Sequence, residues 1–501
     1  MNTYLMGIDI GTSGCKIAVF QRNGEPVASV TKSYSLSHPK EGWAEQNPDL
    51  WWEAVVEGVK EIFEKKTIAK EEIVGIGVDG QSWSAIAVDK EGNVLCDTPI
   101  WMDTRAASIC KEIEESLGED TIFSCAKNPM KATYTTGKVL WYKKYLPKVY
   151  EKADKILQSN SYIVYRLTGK MTQDLSQGYG WHCFDMEKGE WDIELCEKMG
   201  IRPQLLPPIY PCHHVVGKVT KEVAKITGLL EGTPVVAGGL DAACGTLGAG
   251  VIHDGETQEQ GGQAGGMSIC MDKALGHKQL ILGFHVVPNT WLLQGGTTGG
   301  GGVLRWFKEE FGDWETYQAK NAGESAFDLL CKRGEEIKAG SEGLIFLPYM
   351  SGERSPIWNE KAKGVFYGID FAKNKGHFIR AALEGVAYSL KHNLETALDV
   401  GAKVKLLRAT GGAANSKLWM QIKADITQIP IEVSKSDTTT TLGAAILAGV
   451  GVGIYKDFEE AVALTLTKGD SYQPNTENRF VYEEGYKKYK QLYENLKDMM
   501  L

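Results

Sequence analysis

The sequence predicts an α/β protein built as two lobes with a cleft between them. Helical and strand patterns alternate along the chain, and no internal repeat of roughly 20 to 50 residues is visible. A strand that runs into a glycine turn with an aspartate occurs near the N-terminus and again near the middle. We place the lobe boundary near residues 245–255. Ligands are expected in the cleft, because α/β proteins bind them at turns that follow strands.

The first lobe begins as a predicted β-meander. Residues 4–9 are typical of a buried strand, residues 11–14 of a tight glycine turn, and residues 16–20 of a second strand. A helix follows that Asn47 can cap, with apolar residues at helical spacing on one face. Residues 71–80 then return to a strand, so that helix and strand alternate.

The middle of the chain restarts a similar order. An apolar strand at residues 235–237 meets the glycine turn that carries Asp241. A helix is predicted over residues 376–400, and a further glycine turn at residues 410–419 opens another helix. A stripe of tyrosines near the C-terminus predicts a last helix that packs back on the body of the protein.

The composition restricts the class of protein. The chain has 501 residues, 43% of them hydrophobic and 24% charged, which is typical of a globular protein of two or three domains. A net charge of −9 without a basic block argues against nucleic acid as a partner. None of the ten cysteines forms a Cys-x-x-Cys pair, and neither a signal peptide nor a membrane-spanning stretch is visible. We therefore predict a cytoplasmic enzyme with reduced thiols and no membrane partner.

The stretch "VVAGGLDAACGTLGAG", residues 235–250, contains one charged residue, Asp241. A carboxylate among glycines and alanines needs a partner or a function, because burying a charge is costly. One interpretation is structural: Asp241 caps the helix that begins at Ala242. The other is catalytic: the carboxylate faces the cleft and accepts the proton of a substrate hydroxyl that attacks phosphorus.

The first glycine turn is a candidate phosphate site. In "DIGTSGCK", Asp9 ends a strand, and Gly11, Thr12 and Ser13 follow in a turn whose N–H groups could surround phosphate oxygens. Asp9 could hold Mg²⁺ through water. A plain hairpin turn is the alternative, because the spacing is not that of a P-loop.

Further glycine turns follow in the second half of the chain. "GGQAGG" at residues 261–266 is predicted to face phosphates. "TGGAANS" at residues 410–416 opens a helix whose free N–H groups could contact a nucleotide. "GGTTGGGG" at residues 295–302 fits either a nucleotide contact or a flexible connection.

Taken in order, these stretches resemble the FGGY family of carbohydrate kinases, which has the two-lobed actin/hexokinase/Hsp70-like (ribonuclease H-like) ATPase fold. The resemblance covers almost the whole chain. It rests on "GIDIGTSGCK", "GQSWSAIAVD" with "WMDTRA", "GGLDAACGTLGAG", "LPYMSGERSPIWNEKAKGVFYGI" and "GGAANSKLWMQIKADITQIPI". Several long motifs in the family's order make it specific.

The resemblance implies ATP-dependent phosphorylation of a sugar hydroxyl. It implies a sugar-binding N-terminal lobe at residues 1–248 and a nucleotide-binding C-terminal lobe at residues 249–501. Asp241 takes the general-base position, and Asp9 takes the position associated with Mg²⁺. The ATP-side motifs contain Gly11, Thr12, Ser13, Gly262, Gln263, Gly411, Gly412 and Ser416. The sugar-side stretch contains Gln81, Ser82, Trp83, Asp103 and Arg105.

Within the family the chain is most similar to the xylulokinases, from which it departs at the sugar site. Those enzymes usually read Gly-Gln-Met-His where this chain has Gly-Gln-Ser-Trp at residues 80–83. An asparagine usually follows their catalytic aspartate, where Ala242 stands here, and Gln263 replaces a common threonine. D-Xylulose is therefore the first candidate substrate, with another ketose or a polyol as the rival.

A second class of protein shares the predicted fold. Nucleotide-switched chaperones and filament proteins use ATP to drive a conformational change and act on no sugar. The stretch "GQSWSAIAVD" with "WMDTRA" favours the kinase, because a chaperone has no use for a sugar-binding lobe. A sugar-binding regulator without catalysis is disfavoured, because Asp9, Thr12 and Asp241 are all present. The sequence leaves a homodimer open.

Overall fold

The structure is a computed structural model that describes residues 3–65, 68–435 and 438–500. Its framework is a pair of seven-stranded sheets. The first sheet contains β1 (Tyr4–Ile10), β2 (Gly14–Phe20), β3 (Pro26–Ser33), β4 (Ile73–Gly80), β5 (Val215–Lys218), β6 (Pro234–Val236) and β7 (Gly239–Leu240). The second sheet contains β8 (Glu256–Gly261), β9 (Gly265–Met271), β10 (Ile281–Phe284), β11 (Trp291–Thr297), β12 (Leu406–Thr410), β13 (Ile431–Ser434) and β14 (Lys468–Tyr472).

The two sheets share one connectivity. In the first, β1 and β2 are antiparallel, β2 and β3 are antiparallel, and β1 is parallel to β4, which is parallel to β6. In the second, the same relations join β8, β9 and β11 on one side and β8, β12 and β13 on the other. The fold is therefore a duplicated α/β unit, and the predicted two-lobed ATPase fold is confirmed.

The strand before Asp241 belongs to the first sheet, because β6 and β7 both pair with β4. The repeat begins at β8, which is followed by the glycine turn at residues 262–264. Strands β6 and β7 thus complete the first sheet by parallel pairing with β4. The chain enters the second sheet only after them.

Helices surround both sheets. Those that position the cleft are α1 (Pro48–Lys65), α2 (Thr135–Tyr145), α3 (Ser159–Thr168), α4 (Asp241–Gly248), α5 (Gly301–Phe311), α6 (Ala326–Glu335), α7 (Lys375–Leu398), α8 (Lys417–Thr427), α9 (Thr439–Gly451) and α10 (Arg479–Leu496). Other helices cover Ala107–Leu117, Glu119–Ala126, Pro147–Lys152, Ile193–Lys198, Lys221–Thr227, Asp313–Ala322 and Phe458–Thr465. Short paired strands cover Glu45–Gln46, Ile86–Val88, Thr98–Pro99, Lys155–Leu157, Gln173–Asp174, Phe184–Asp185, Glu190–Trp191, Ile209–Tyr210, Ile345–Leu347 and Val365–Tyr367.

Local sequence explains where the long helices start. Asn374 caps α7 by accepting the N–H of Gly376 at 2.9 Å, and Ser416 caps α8 by accepting the N–H of Trp419 at 3.3 Å. Such caps satisfy helix N–H groups that have no partner within the helix. In the described part of the chain, no helix combines the length and the apolar composition that a bilayer crossing requires.

Helix α9 comes from the second half of the chain but packs on the first sheet. A Cβ atom at Gly77 of β4 would lie 1.9 Å from the carbonyl oxygen of Ala444, so only glycine permits this approach. Gly443 of α9 is equally close to the carbonyl oxygen of Cys244 in α4. The two halves of the protein therefore share a tight α4–α9 helix pair beside the cleft.

The last helix, α10, packs back on the second half. Tyr482, Tyr486 and Tyr489 of α10 are buried beside Tyr388 of α7. The hydroxyl of Tyr489 also accepts a hydrogen bond from the hydroxyl of Tyr349 at 2.7 Å. The tyrosine stripe thus forms an internal contact.

Candidate active site

Three carboxylates lie near one another at the carboxyl edge of the first sheet. Asp9 stands near the end of β1, Asp79 near the end of β4, and Asp241 directly after β7, and these strands are parallel neighbours. In the register of the sheet, Asp79 lies opposite Asp9 on one side and opposite Gly239 on the other. Parallel strands bring their carboxyl ends to one edge, which places the three acidic groups together. Sequence reasoning identified Asp9 and Asp241 but missed Asp79.

Burial makes these carboxylates difficult to ionise together. Burial and the charges of Asp9 and Asp241 hold the pKa of fully buried Asp79 well above its usual range. Burial also raises the pKa of Asp9, against the opposing effects of neighbouring Asp79 and of the Lys16 charge. For Asp241, burial and then the Asp9 charge raise the pKa to about 7, opposed by the N–H of Ala242. Asp241 therefore titrates near neutral pH, where a general base is most effective.

The capping interpretation of Asp241 is not supported by its geometry. Asp241 is itself the first residue of α4, and Leu240 occupies the N-cap position without any side-chain cap. Within the described residues, the carboxylate makes its hydrogen bond through Oδ1, which accepts the N–H of Ala242 at 2.6 Å. Asp241 is half-buried, and its neighbour Ala242 lines the cleft cavity.

Several polar groups of the first glycine turn, residues 11–14, already form hydrogen bonds within the first lobe. The N–H of Gly11 donates to the carbonyl oxygen of Gly14 at 3.1 Å, so this donor is already used. The hydroxyl of Thr12 accepts the indole N–H of Trp101 at 2.9 Å and donates to Gln81 Oε1 at 3.3 Å. Ser13 is exposed, and its N–H has no partner among the described residues. Of the predicted phosphate donors in this turn, the backbone N–H groups of Thr12 and Ser13 have no partner among the described residues.

The predicted sugar-side residues divide into two groups. Ser82 and Trp83 line the cleft cavity. Gln81 is 1% exposed, and both ends of its amide are engaged, since Nε2 donates to Gln46 Oε1 at 2.8 Å and Oε1 accepts from the Thr12 hydroxyl at 3.3 Å. Gln81 therefore links Thr12 of the first glycine turn to Gln46.

Asp103 and Arg105 do not reach the cavity, in contrast to the prediction from sequence. Asp103 is fully buried, and the Arg105 side chain is 2% exposed. The guanidinium pairs with Asp103 at 2.7 Å and with Glu45 at 2.6 Å, and its Cζ lies 3.7 Å from the ring centre of Trp43. Their charges satisfy each other inside the lobe, which leaves no group free for a sugar.

Aromatic side chains form the first-lobe wall of the cavity. Trp83, Trp101 and Tyr179 line it, and Tyr134 stacks behind Trp83 at a ring separation of 4.2 Å. Trp83 adopts a left-handed conformation with φ of 57°, which is strained for a bulky residue. We name these four residues the aromatic wall. Sequence analysis named Trp83 alone; the quoted motif "WMDTRA" contained Trp101, and no local signal indicated Tyr179.

A buried lysine holds the aromatic wall in place. Lys138 of α2 is fully buried, and its ammonium donates to the carbonyl oxygens of Trp83, Ile100 and Thr133 at 2.7, 2.7 and 2.6 Å. These carbonyls belong to Trp83 or directly precede Trp101 and Tyr134. All three ammonium hydrogens are therefore used, although burial lowers the Lys138 pKa to about 7.

One cavity of about 330 Å³ connects the predicted sugar and phosphate residues. It runs from the aromatic wall past Ala242 to the glycine turn at residues 262–266 and the neighbouring strand β11. Polar groups on the far side include Gln258, Gln294 and Arg354, which the sequence analysis did not name. The volume is that of a small-molecule site.

A second cavity of about 360 Å³ lies in the second lobe. Four predicted ATP-side residues line it: Gly262, Gln263, Gly412 and Ser416. Its other lining residues are Gly261, Gly301, Leu304, Arg305, Ser325, Phe327, Asp328, Cys331, Ala413, Asn415 and Trp419. Gly262 and Gln263 border both cavities, so the glycine turn separates one from the other. Gly411 precedes this wall with φ of +83°, and its Cβ would meet Gly261.

Asp9 and Asp79 could supply some of the ligands of a hydrated divalent cation, but not a complete set. Asp9 Oδ1 is buried without a hydrogen-bond donor among the described residues, as are both oxygens of Asp79. Buried carboxylate oxygens without donors are suited to Mg²⁺, which binds through a few carboxylates and keeps its waters. No set of three or more acidic, histidine or cysteine residues in the described ranges forms a complete metal site. A cation here needs further ligands, such as phosphate oxygens.

The duplicated sheet around a cleft defines the class of protein as the actin/hexokinase-like phosphotransferases and ATPases. Residues 4–248 match the N-terminal domain of the FGGY family of carbohydrate kinases, and residues 278–452 match its C-terminal domain. The chain belongs to this family and is a carbohydrate kinase.

Relatives are similar over nearly their whole length. The xylulose kinase of Bacillus subtilis (strain 168) is 31% identical over 498 residues, covering 99% of this chain and 98% of that protein. The gluconokinase of the same strain is 31% identical over 462 residues, covering 92% and 90%. The crystal structure of xylulose kinase from Rhodospirillum rubrum matches with a TM-score of 0.89 at 28% identity, covering 99% of both chains.

Proposed function

We propose that this carbohydrate kinase transfers the γ-phosphoryl group of Mg²⁺·ATP to a hydroxyl of a ketose, with D-xylulose as the first candidate. One observation carries the proposal: the cleft cavity joins the aromatic wall to the glycine turn at residues 262–266, and passes the start of α4. The donor and acceptor of a phosphoryl group can therefore meet beside Asp241. Proximity of this kind supplies much of the rate enhancement in phosphoryl transfer.

Each lobe is proposed to bind one substrate. The sugar lies against Trp83 and Trp101, whose indole faces suit the C–H face of a carbohydrate. The nucleoside lies in the second cavity, which has an apolar floor and a helix start at Ser416. The phosphate chain then crosses the glycine turn that borders both cavities. These assignments keep the predicted roles of residues 1–248 and 249–501.

Asp241 is proposed as the general base. The sugar hydroxyl oxygen attacks the γ-phosphorus, its proton passes to the Asp241 carboxylate, and the bond from phosphorus to the bridging oxygen of ADP breaks. A pKa raised to about 7 makes this carboxylate a better proton acceptor than an ordinary aspartate. A bound Mg²⁺ supplies charge neutralisation to the phosphates, and Asp9 would hold it through water.

The choice of D-xylulose rests on the xylulose kinases among the relatives. The residues that line the cavity are also compatible with the alternative substrates. Ser82, Trp83 and Ala242 line the cavity at positions where xylulokinases usually carry methionine, histidine and asparagine. Loss of hydrogen-bonding groups changes substrate preference, because a sugar hydroxyl left unpaired in a closed site weakens binding. Another ketose or a polyol is therefore the alternative substrate.

A substrate panel tests the proposal. ADP formation is measured in a coupled assay with Mg²⁺·ATP and a set of ketopentoses, ketohexoses, aldoses, polyols and gluconate, with Asp241→Asn as the inactive reference. We expect the highest kcat/KM with a ketose and a loss of about 10²- to 10⁴-fold in Asp241→Asn. Turnover that no sugar stimulates would contradict the proposal.

A further inference from the structure

Arg354 is the single charged side chain among the described residues that line the cleft cavity. Its Nη1 atom lies 3.7 Å from the position that a Cβ would occupy at Gly296, so the guanidinium lies over β11. It forms no salt bridge with any carboxylate in the described part of the chain. A guanidinium that faces a cavity without a partner is available to an anionic ligand.

The loop that carries Arg354 is held rigidly. The Glu353 carboxylate accepts the N–H of Arg354 at 2.7 Å, the N–H of Thr298 at 2.9 Å and the hydroxyl of Thr297 at 2.6 Å. Burial raises the pKa of Glu353, and these hydrogen bonds oppose the rise. Because its oxygens are engaged by these donors, Glu353 fixes the loop and leaves the guanidinium free.

Ser355 makes a second attachment on the other side of Arg354. Its hydroxyl accepts the N–H of Gly296 at 2.6 Å and donates to the carbonyl oxygen of the same residue at 3.1 Å. Gly296 is in turn the register partner of Gly266 on β9. Arg354 therefore has a fixed position relative to the glycine turn at residues 262–266.

A phosphate chain in this cavity would need a positively charged partner. Its charge is negative, and the described lining residues other than Arg354 are uncharged. Negative charge on the transferred group is spread over its non-bridging oxygens in the transition state, and bidentate arginine contacts suit such oxygens. Among the described lining residues, Arg354 alone offers such a contact.

We propose that Arg354 is a catalytic residue that binds the phosphoryl group during its transfer. The proposal rests on the proposed kinase function and adds the group that stabilises transition-state charge. The guanidinium contacts the non-bridging oxygens of the phosphoryl group, and takes no part in the proton transfer to Asp241. The relatives named gluconokinase suggest another anion, the carboxylate of a sugar acid, and the experiment separates the two.

The experiment compares Arg354→Gln, Arg354→Lys and Arg354→Ala with wild type. Arg479→Gln is the matched control, since Arg479 is an exposed arginine on α10 that pairs with Glu483. We expect kcat with a neutral sugar to fall about 10²- to 10³-fold in Arg354→Gln, with the sugar KM nearly unchanged. Arg354→Lys should be intermediate, because it retains charge without the fork. Guanidinium chloride at millimolar concentration should partly restore Arg354→Ala.

Binding of a transition-state mimic gives a readout that is independent of turnover. ADP with aluminium fluoride and the sugar should bind wild type more tightly than ADP alone, and Arg354→Gln should lose this extra affinity while its ADP affinity is retained. If no sugar is phosphorylated by wild type, the proposed function fails, and this binding comparison still judges Arg354.

Two results would overturn the proposal. One is an Arg354→Gln enzyme that keeps both its kcat and its extra affinity for the aluminium fluoride complex. The other is an effect confined to the KM of gluconate, which would assign Arg354 to a substrate carboxylate. Circular dichroism of each variant confirms the fold; should Arg354→Gln not fold, the same comparisons are made with Arg354→Lys, whose retention of full kcat would overturn the proposal.

Discussion

Asp9 and Asp79 are register partners on adjacent parallel strands, and each carboxyl group influences the pKa of the other. In such a buried pair one carboxyl group keeps a proton, because two neighbouring negative charges are costly away from water. Burial and the negative charge of Asp9 and Asp241 make Asp79 the protonated partner. The Asp9–Asp79 pair therefore keeps a proton at a pH where exposed aspartates have lost theirs.

The pH dependence of stability follows from these raised pKa values. Between the usual aspartate range and the raised pKa of the folded state, the folded protein binds more protons than the unfolded chain, so stability is lost as pH rises. Asp79→Asn removes this penalty and keeps the size of the side chain. We expect a higher Tm than wild type at pH 8 and a smaller gain at pH 5. Each pKa unit corresponds to about 1.4 kcal/mol.

Thermal unfolding of both proteins across this pH range measures the effect. Asp120→Asn is the control, because the Asp120 side chain is 97% exposed. An Asp79→Asn Tm that is lower than wild type at pH 8 would show that Asp79 is stabilised as a carboxylate.

The rate of the reaction should depend on the ionisation of Asp241. Only the carboxylate form accepts a proton, and burial raises the pKa of Asp241 to about 7. We expect kcat/KM for the sugar to rise about tenfold per pH unit below this pKa and to level off above it. A profile that is flat from pH 5 to pH 8 is incompatible with this assignment.

Lys138 is expected to control sugar affinity through the aromatic wall. Lys138→Met removes the three hydrogen bonds to the carbonyls of Trp83, Ile100 and Thr133 at similar side-chain length. We expect the sugar KM to rise about tenfold or more, with the ATP KM nearly unchanged, since no residue of α2 lines the second cavity. Steady-state kinetics with each substrate varied in turn measures the split.

The control for Lys138 is Lys144→Met on the same helix, where the lysine is exposed and pairs with Glu112. It should leave both KM values unchanged. Equal increases in the two KM values of Lys138→Met, together with a lower Tm, would assign Lys138 to general stability.

The second cavity can be filled without disturbing the fold. A Cβ atom at Gly412 meets nothing within 4 Å, and its φ is not in the left-handed region. Gly412→Phe should therefore fold normally and place a ring where the nucleoside is proposed to bind. We expect the ATP KM to rise more than tenfold while sugar affinity, measured by calorimetry without nucleotide, is retained. An unchanged ATP KM would place the nucleotide elsewhere.

The sequence predicted the larger features of the site well. The helix at residues 376–400, the glycine turn at residues 261–266 and the aspartate at a strand end are local patterns, and each is present. Gly262, Gln263, Gly412 and Ser416 line one cavity because their turns follow the parallel neighbours β8 and β12 at the same edge of the second sheet.

Local sequence patterns could not predict pairings between residues that are far apart along the chain. Asp103 and Arg105 were predicted to contact the sugar, but a buried ion pair with Glu45, about 60 residues away, occupies them. Asp79 resembles Asp9 because it also follows an apolar stretch, and this local pattern is enough to indicate a second carboxylate at a strand end. Lys138 had no such signal, because its function arises from three carbonyls on separate segments.

The most direct test of the central claim is the kcat of Asp241→Asn with the preferred sugar, measured beside the sugar affinity of the same variant. The account predicts that kcat falls about 10²- to 10⁴-fold while the sugar still binds, because the amide keeps the size of the side chain and cannot accept the proton. A variant that retains the wild-type kcat would contradict it.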